Sequence, residues 1–78
     1  MLELTLLGTA DCSLCETFAL ALQQWVDAQR RPVHIDVIDI CDAPELETRY
    51  GWHIPVLLSG EQLVCSGHFD ADSLSRQP

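Results

Sequence analysis

The chain has 78 residues, enough for one small domain, so we expect a single domain over residues 1–78. An apolar fraction of 47% argues against disorder, and no apolar run approaches the roughly 20 residues of a membrane-spanning helix. Four arginines, no lysine and twelve acids give a net charge of −8, which repels nucleic acid and anionic membrane surfaces, so neither is an expected partner. This charge serves either solubility or the selection of a basic partner.

Leucines alternate with polar residues over residues 2–6, which predicts a first strand that ends at Gly8. The next segment has helical spacing. Its apolar face comprises Leu14, Phe18, Leu22, Trp25 and Val26. Arginines at 30–31, near the carboxyl end of the helix dipole, and Pro32 behind them predict where this helix ends.

Residues 33–40, VHIDVIDI, predict a second strand with one wetter face. The apolar residues of its other face are Val33, Ile35 and Val37. A short helix is expected over residues 43–50, because Asp42 and Glu45 have the spacing of a capping box and Gly51 suits the end of a helix.

Two short strands follow at 55–58 and 62–65, joined by a tight turn at Ser59-Gly60, and Asp70 caps a brief final helix. The strand–helix–strand unit at the start calls for a right-handed parallel crossover, whereas the last two strands form an antiparallel hairpin. The predicted fold is therefore α/β, a four-stranded mixed sheet with flanking helices on both faces.

The most informative motif is the pair Cys12 and Cys15 at the start of the long helix. Cys12 is expected at the N-cap or first turn, where free backbone N–H groups stabilise a thiolate. Cys15, one turn later, is expected to be less exposed and within disulfide reach, which suits thiol–disulfide exchange. Two alternatives are a metal or an iron–sulfur cluster shared between two chains, and an inert pair.

A second motif is His53-Ile54-Pro55, where a proline stands at the start of a predicted central strand although it cannot donate to the ladder. If the Ile54–Pro55 bond is cis, the loop exposes the backbone of Ile54 beside the cysteines, where an extended substrate can pair with it. A partial positive charge on His53 would favour the thiolate, although an ordinary surface histidine fits equally well.

Several features occur in one order along the chain: a strand, Cys12-Ser13-Leu14-Cys15, a helix, the IDI end of a strand, Tyr50-Gly51, Ile54-Pro55-Val56, and Gly67 before Asp70. Because these features occur in this order and spacing, the whole chain resembles the thioredoxin superfamily, and most of all the small glutaredoxin-like proteins. The resemblance implies a thioredoxin-like fold, with Cys12 as the nucleophile, Cys15 as the resolving cysteine and a cis Pro55 facing them. It implies these substrate-binding residues: His53, Ile54, Pro55, Gly67 and Asp70.

The chain also departs from that family. Ser13-Leu14 replaces the residues that glutaredoxins and thioredoxins carry between their cysteines. Glutaredoxins commonly hold glutathione with a basic residue before the motif, a Thr-Val-Pro loop and a Gly-Gly-x-Asp turn. Here Thr9-Ala10-Asp11 precede the motif, His53-Ile54 replaces Thr-Val, and residues 66–70 keep one glycine and the aspartate. These departures argue against anionic glutathione as the favoured partner.

The remaining cysteines, Cys41 and Cys65, are expected to be small buried hydrophobic residues. His34 and His68 are expected at the surface. The aromatic residues expected to pack in or around the core are Phe18, Trp25, Trp52 and Phe69.

We therefore expect a glutaredoxin-like thiol–disulfide oxidoreductase that acts on a disulfide-containing protein or a small thiol substrate. A reductant such as glutathione or thioredoxin reductase would restore its thiols, and neither a bound cofactor nor a metal is expected. We expect a monomer in the cytoplasm, because the opening MLELTLLG lacks the basic region of a signal peptide. The alternatives are a non-enzymatic carrier of an iron–sulfur cluster or metal on the same cysteines, and an acidic docking domain with vestigial redox chemistry.

Overall fold

A computed structural model describes residues 2–77; the predicted domain, 1–78, extends one residue further at each end, outside the described residues. The described residues form four strands and three α-helices, and a short 3-10 turn follows the second strand. In chain order the elements are β1 (Leu2–Gly8), α1 (Ser13–Asp27), β2 (Val33–Asp39), the 3-10 turn (Ile40–Asp42), α2 (Pro44–Tyr50), β3 (Val56–Ser59), β4 (Gln62–Ser66) and α3 (Ala71–Ser75).

The strands form one mixed sheet in the order β2-β1-β3-β4. β1 runs parallel to β2, in a register that pairs Leu4 with Ile35, and antiparallel to β3. β3 and β4 form an antiparallel hairpin. α1 supplies the long crossover that a parallel pair requires. This architecture confirms the predicted α/β fold, a four-stranded mixed sheet with flanking helices.

Helices cover both faces of the sheet, and each face has its own apolar cluster. The buried members of the first cluster, against α1 and α3, are Leu2, Leu4, Leu6, Phe18, Leu22, Leu57 and Leu74. Those of the second, against the 3-10 turn and α2, are Leu7, Ile40, Val56 and Leu58. Because β1 is central and covered on both sides, Leu6 and Leu7 are both buried although they point in opposite directions.

The end of α1 differs from the prediction. The helix stops at Asp27, and Ala28 closes it by donating its N–H to the carbonyl of Trp25, without a basic residue in the last turn. Arg31 instead donates a hydrogen bond to the carbonyl oxygen of Gln77 at 3.3 Å. With 15 residues, α1 is shorter than a membrane span requires. No helix within residues 2–77 is long and apolar enough to cross a membrane.

Three apolar side chains expected in or around the core are exposed instead. Val37 is 73% exposed because β2 is an edge strand, and alternation alone does not reveal which strands lie at the edge. Leu14 is 52% exposed because it lies in the first turn of α1, beside the loop at Gly67. Trp52, in the turn after α2, is 95% exposed, so the prediction that it packs in or beside the core is wrong.

The segment between β2 and α2 also corrects the prediction. β2 ends at Asp39, one residue early, because the next residue begins the 3-10 turn. The Asp39 carboxylate caps that turn by accepting a hydrogen bond from the Cys41 N–H at 2.9 Å. α2 begins at Pro44 with no side-chain cap, so the predicted capping box of Asp42 and Glu45 is not formed. Proline lacks an N–H, so a first turn that begins with it has one donor fewer to satisfy.

Two glycines terminate elements by different means. Gly51 ends α2 as predicted, and a Cβ there would approach the Glu47 carbonyl oxygen to 2.6 Å, so no larger residue fits without a shift. The hairpin turn is displaced by one residue from the predicted Ser59-Gly60 to Gly60-Glu61. Gly60 has φ +61°, the left-handed conformation that tight hairpin turns need.

Candidate redox site

A disulfide joins Cys12 and Cys15 at the start of α1, where their Cα atoms are 5.2 Å apart. Cys12 is the N-cap, as predicted, and its sulfur accepts a hydrogen bond from the Cys15 N–H at 3.1 Å. Both sulfurs therefore lie at the positive end of the helix dipole, which stabilises negative charge on sulfur after reduction. Both side chains are half-buried, so their burial does not separate an outer thiol from an inner one.

The backbone enters this helix through Asp11, whose φ of 58° lies in the left-handed region. Aspartate tolerates this conformation better than most residues other than glycine. The acid beside Cys12 therefore has a conformational role in the turn between β1 and α1. The sequence indicated Asp11 only as an acid among the residues that stand where glutaredoxins carry a base, because a backbone dihedral is not visible in a sequence pattern.

Gly8, at the end of β1, gives Cys15 the space to pack against the sheet. A Cβ at this position would lie 3.3 Å from the Cys15 sulfur, which is closer than an ordinary van der Waals contact. The sequence indicated Gly8 only as the end of a strand. Its contact with Cys15 depends on how α1 folds back over β1, so local pattern could not have found it.

The Ile54–Pro55 peptide bond is cis, as the resemblance implies. Pro55 is buried directly before β3, and its carbonyl oxygen accepts a hydrogen bond from the Gly67 N–H at 2.8 Å. Gly67 has φ +77° and lines a small cavity with Leu14 and Phe18 of α1. This hydrogen bond brings together two of the predicted site residues and places one of them against the helix that carries the disulfide.

Ile54 packs its half-buried side chain against the second apolar cluster. Within residues 2–77, neither its N–H nor its carbonyl oxygen enters a backbone hydrogen bond. His53, next to it, is exposed and lines a cavity of about 370 Å³ with Tyr50 and Leu63. Among the described residues, neither Cys12 nor Cys15 lines that cavity. His53 therefore lines a different cavity from the one that contains Cys15.

Asp70 is the N-cap of α3, as predicted. Its carboxylate accepts hydrogen bonds from the backbone N–H groups of Asp72 and Ser73, and from the Ser73 hydroxyl at 2.7 Å. These hydrogen bonds, chiefly those of Ser73, lower the pKa of Asp70. In this structure the Asp70 carboxylate therefore caps the N-terminus of α3.

The two cysteines outside the motif are free thiols in different surroundings. Cys41 is exposed, so its predicted burial is wrong; it lies in the 3-10 turn rather than in β2. Cys65 is half-buried on β4 against the first cluster. Burial raises the pKa of the Cys65 thiol, and the charge of Asp70 adds to the rise while a backbone hydrogen bond of Asp70 opposes it. Cys65 is therefore the less reactive of the two.

Two cavities meet at Thr9, between β1 and the disulfide. One, of about 250 Å³, is mostly apolar and includes Cys15 and Val37. The other, of about 510 Å³, includes Cys41 and Trp52. Thr9 lines both, and its hydroxyl lies 3.6 Å from the Cys41 sulfur. Thr9 and Cys41 are 32 residues apart, and sequence reasoning assigned neither to the site.

Metal binding needs several ligands at one point. Across residues 2–77, no group of three or more histidine, cysteine, aspartate or glutamate residues is arranged to hold a metal ion. A cluster or metal on Cys12 and Cys15 would therefore need ligands from beyond these residues, such as those of a second chain.

Comparison with known proteins agrees with this geometry. The family model "Glutaredoxin-like domain (DUF836)" matches residues 3–77. The chain is similar to a Nitrosomonas europaea protein solved by NMR, with 24% identity and a TM-score of 0.79 over 95% of this chain and 87% of that one. It is also similar to an X. campestris protein solved by X-ray crystallography, with 30% identity and a TM-score of 0.65 over 91% of this chain and 88% of that one. None of the curated proteins matches it significantly.

These similarities confirm the resemblance to small glutaredoxin-like proteins and the thioredoxin-like fold. They extend over nearly the whole chain, and the range that the family model matches contains Cys12 and Cys15. The chain belongs to the glutaredoxin-like (DUF836) family.

Proposed function

We propose that this protein is a thiol–disulfide oxidoreductase whose redox pair is Cys12 and Cys15. The observation that carries the proposal is the disulfide between them at the N-terminus of α1, in a chain of the glutaredoxin-like family. Exchange needs one sulfur stabilised as a thiolate and a second within bonding reach. The N-cap position supports the first requirement for Cys12, and Cys15 meets the second.

The reaction proceeds in two exchange steps. The Cys12 thiolate attacks one sulfur of the substrate disulfide, forms a mixed disulfide and releases the other substrate sulfur as a thiolate. The Cys15 thiolate then attacks the Cys12 sulfur, which closes the Cys12–Cys15 disulfide and releases the second substrate thiolate. The substrate gains two electrons and, from solvent, two protons, and an external dithiol reductant returns the pair to its reduced form.

The segment before β3 is the proposed substrate platform. The unpaired N–H and carbonyl of Ile54 can form backbone hydrogen bonds with an extended segment that carries the disulfide. Pro55 cannot donate, and the Gly67 N–H holds its carbonyl, so these two residues support the platform. His53 precedes Ile54 in the chain, and Asp70 follows Gly67 by three residues. We assign both a smaller contribution, because His53 lines a separate cavity and Asp70 caps α3.

Glutathione is not the proposed preferred partner. Thr9-Ala10-Asp11 replaces the basic residue that usually precedes the motif, and the chain contains no lysine. An anionic tripeptide would meet the exposed carboxylates of Asp11 and Glu16 beside the disulfide. We therefore propose a disulfide in a protein as the substrate.

The test is the reduction of a small uncharged disulfide, 2-hydroxyethyl disulfide, by wild type, Cys12→Ser, Cys15→Ser and the control Cys65→Ala. Cys12→Ser should lose activity, and Cys15→Ser should accumulate a mixed disulfide detectable by intact mass. Cys65→Ala should stay close to wild type, because its thiol is half-buried outside the pair. Full activity in Cys12→Ser would show that another sulfur performs the attack.

A further inference from the structure

An open cleft adjoins the proposed redox site on the side of α2. It measures about 510 Å³ and lies between Thr9, Cys41, Glu47 and Trp52. Thr9 lines both this cleft and the cavity that contains Cys15, so the two cavities adjoin at that residue. A segment of a substrate protein seated in this cleft would therefore bring its neighbouring residues to the cysteine pair.

The indole of Trp52 is 95% exposed, the most exposed large apolar side chain among the residues described. An exposed tryptophan does not stabilise the fold by its burial, so the Trp52 indole is free to contact a binding partner. Its flat face attracts cations through the ring quadrupole, and guanidinium and ammonium groups are the cations that proteins present. Among residues 2–77, Glu47 supplies the only carboxylate in the cleft lining.

The chain around the cleft is acidic, and among residues 2–77 no arginine or histidine lines it. The carboxylates of this segment, residues 39–47, are Asp39, Asp42, Glu45 and Glu47. The nearest base in sequence, Arg49, lines the separate cavity that contains Tyr50 and His53. The cleft therefore presents negative charge and an aromatic face together.

The other arginines lie at the far end of α1. Arg30 and Arg31 line a cavity with Ser75 and Gln77, and Arg76 lies between those two in sequence. The 15 residues of α1 place this end about 22 Å from Cys12 at a rise of 1.5 Å per residue. Charges are screened beyond about 8 Å at physiological ionic strength. These three arginines therefore contribute little to the field at the disulfide end.

We propose that this cleft docks a basic segment of the protein whose disulfide the cysteine pair reduces. Trp52 stacks on a lysine or arginine side chain and Glu47 pairs with its charge, which selects cationic substrates and repels anionic ones. A second copy of this chain is a poor occupant, since its own disulfide end is acidic. The inference rests on the proposed function for the identity of the substrate, whereas the docking itself is measurable without turnover.

The kinetic test compares two peptides that contain the same disulfide, one flanked by lysine and arginine and one by glutamate. The reduced full-length protein should reduce the basic peptide faster, and high salt should abolish the difference. Trp52→Ala and Glu47→Gln should each lower kcat/KM for the basic peptide about threefold, the size expected for an exposed cation–π contact or ion pair. Neither variant should change the reduction of 2-hydroxyethyl disulfide.

Two matched controls separate the cleft from the general surface. Glu61→Gln removes the same charge as Glu47→Gln from the exposed hairpin turn, and Leu63→Ala removes an exposed apolar side chain from β4. Both controls should retain the preference for the basic peptide. If Glu61→Gln reduces the preference as much as Glu47→Gln does, the preference comes from net charge and the cleft is not the docking site.

A binding measurement distinguishes failure of the docking from failure of the proposed function. The oxidised protein is titrated with disulfide-free versions of the two peptides, and tryptophan fluorescence is read in wild type and in Glu47→Gln. Tighter binding of the basic peptide that weakens in Glu47→Gln supports the docking even if no disulfide is ever reduced. Equal binding of both peptides, or tighter binding of the acidic one, overturns the docking even if 2-hydroxyethyl disulfide is reduced normally.

Discussion

Replacing Gly67 by alanine tests whether the hydrogen bond between Gly67 and Pro55 supports the site as well as the fold. Gly67 has φ +77°, and among residues 2–77 no atom beyond its chain neighbours lies within 4 Å of a Cβ placed there. The substitution therefore strains the backbone without a clash. Gly60, in the hairpin turn, has φ +61° and the same open surroundings, which makes Gly60→Ala a matched control.

The expected loss in the free energy of unfolding follows from two opposing effects. Alanine in the left-handed region costs about 1–2 kcal/mol, and the stiffer unfolded chain offsets about 0.4–1 kcal/mol of that cost. A net loss of about 1 kcal/mol lowers the Tm of a domain of this size by about 4–8 °C. Both glycine variants should show this loss in a thermal melt, and Gly67→Asn should lose less because asparagine tolerates the conformation.

Only Gly67→Ala should also slow the reduction of a disulfide peptide. A net hydrogen bond of about 0.5–1.5 kcal/mol corresponds to a factor of about 2 to 10 in rate if the Pro55 carbonyl is no longer held. Gly60→Ala should keep the wild-type rate at temperatures where both variants are folded. Equal rates in the two variants would refute the view that the Gly67–Pro55 hydrogen bond supports the substrate platform.

Four further predictions concern stability and thiol reactivity. Leu22→Ala should lower the free energy of unfolding by about 2–5 kcal/mol in urea, whereas Leu14→Ala, at a half-exposed position, should change it by less than about 0.5 kcal/mol. Iodoacetamide should label Cys41 faster than Cys65 at neutral pH. Because burial raises the pKa of Cys65 in the folded state, its contribution to stability should decline as pH rises above the ordinary thiol range, and Cys65→Ala should flatten that decline. The pKa of Asp70 is lowered by folding, so stability should fall as pH drops through the carboxylate range, and Asp70→Ala should weaken that dependence.

Much of the fold was predictable because its signals are local. The alternating leucines of β1 and the helical spacing of α1 follow directly from the periods of the two structures. The exposure of Val37 was not predictable, since it depends on β2 being the edge strand of the sheet. The exposure of Cys41 depends on a 3-10 turn that begins one residue after β2 ends, and boundaries of this kind are not encoded by periodicity.

The site was predictable in part for the same reason. The spacing of Cys12 and Cys15 and their place at a helix start are local features, and the structure joins them in a disulfide. The contacts that surround the pair are not local. The meeting of Thr9 with Cys41 arises only when the carboxyl ends of two parallel neighbouring strands come together, and no pattern along the chain marks it.

A redox titration of the full-length protein shows directly whether Cys12 and Cys15 form its redox pair. The protein is equilibrated with thiol–disulfide buffers over the range of about −120 to −300 mV that known dithiol proteins span. Its free thiols are then alkylated and counted by peptide mass spectrometry. We expect Cys12 and Cys15 to gain or lose their labels together in one two-electron transition, while Cys41 and Cys65 stay labelled throughout. A pair that never changes state within this range, or a transition that involves Cys41 or Cys65, would contradict it.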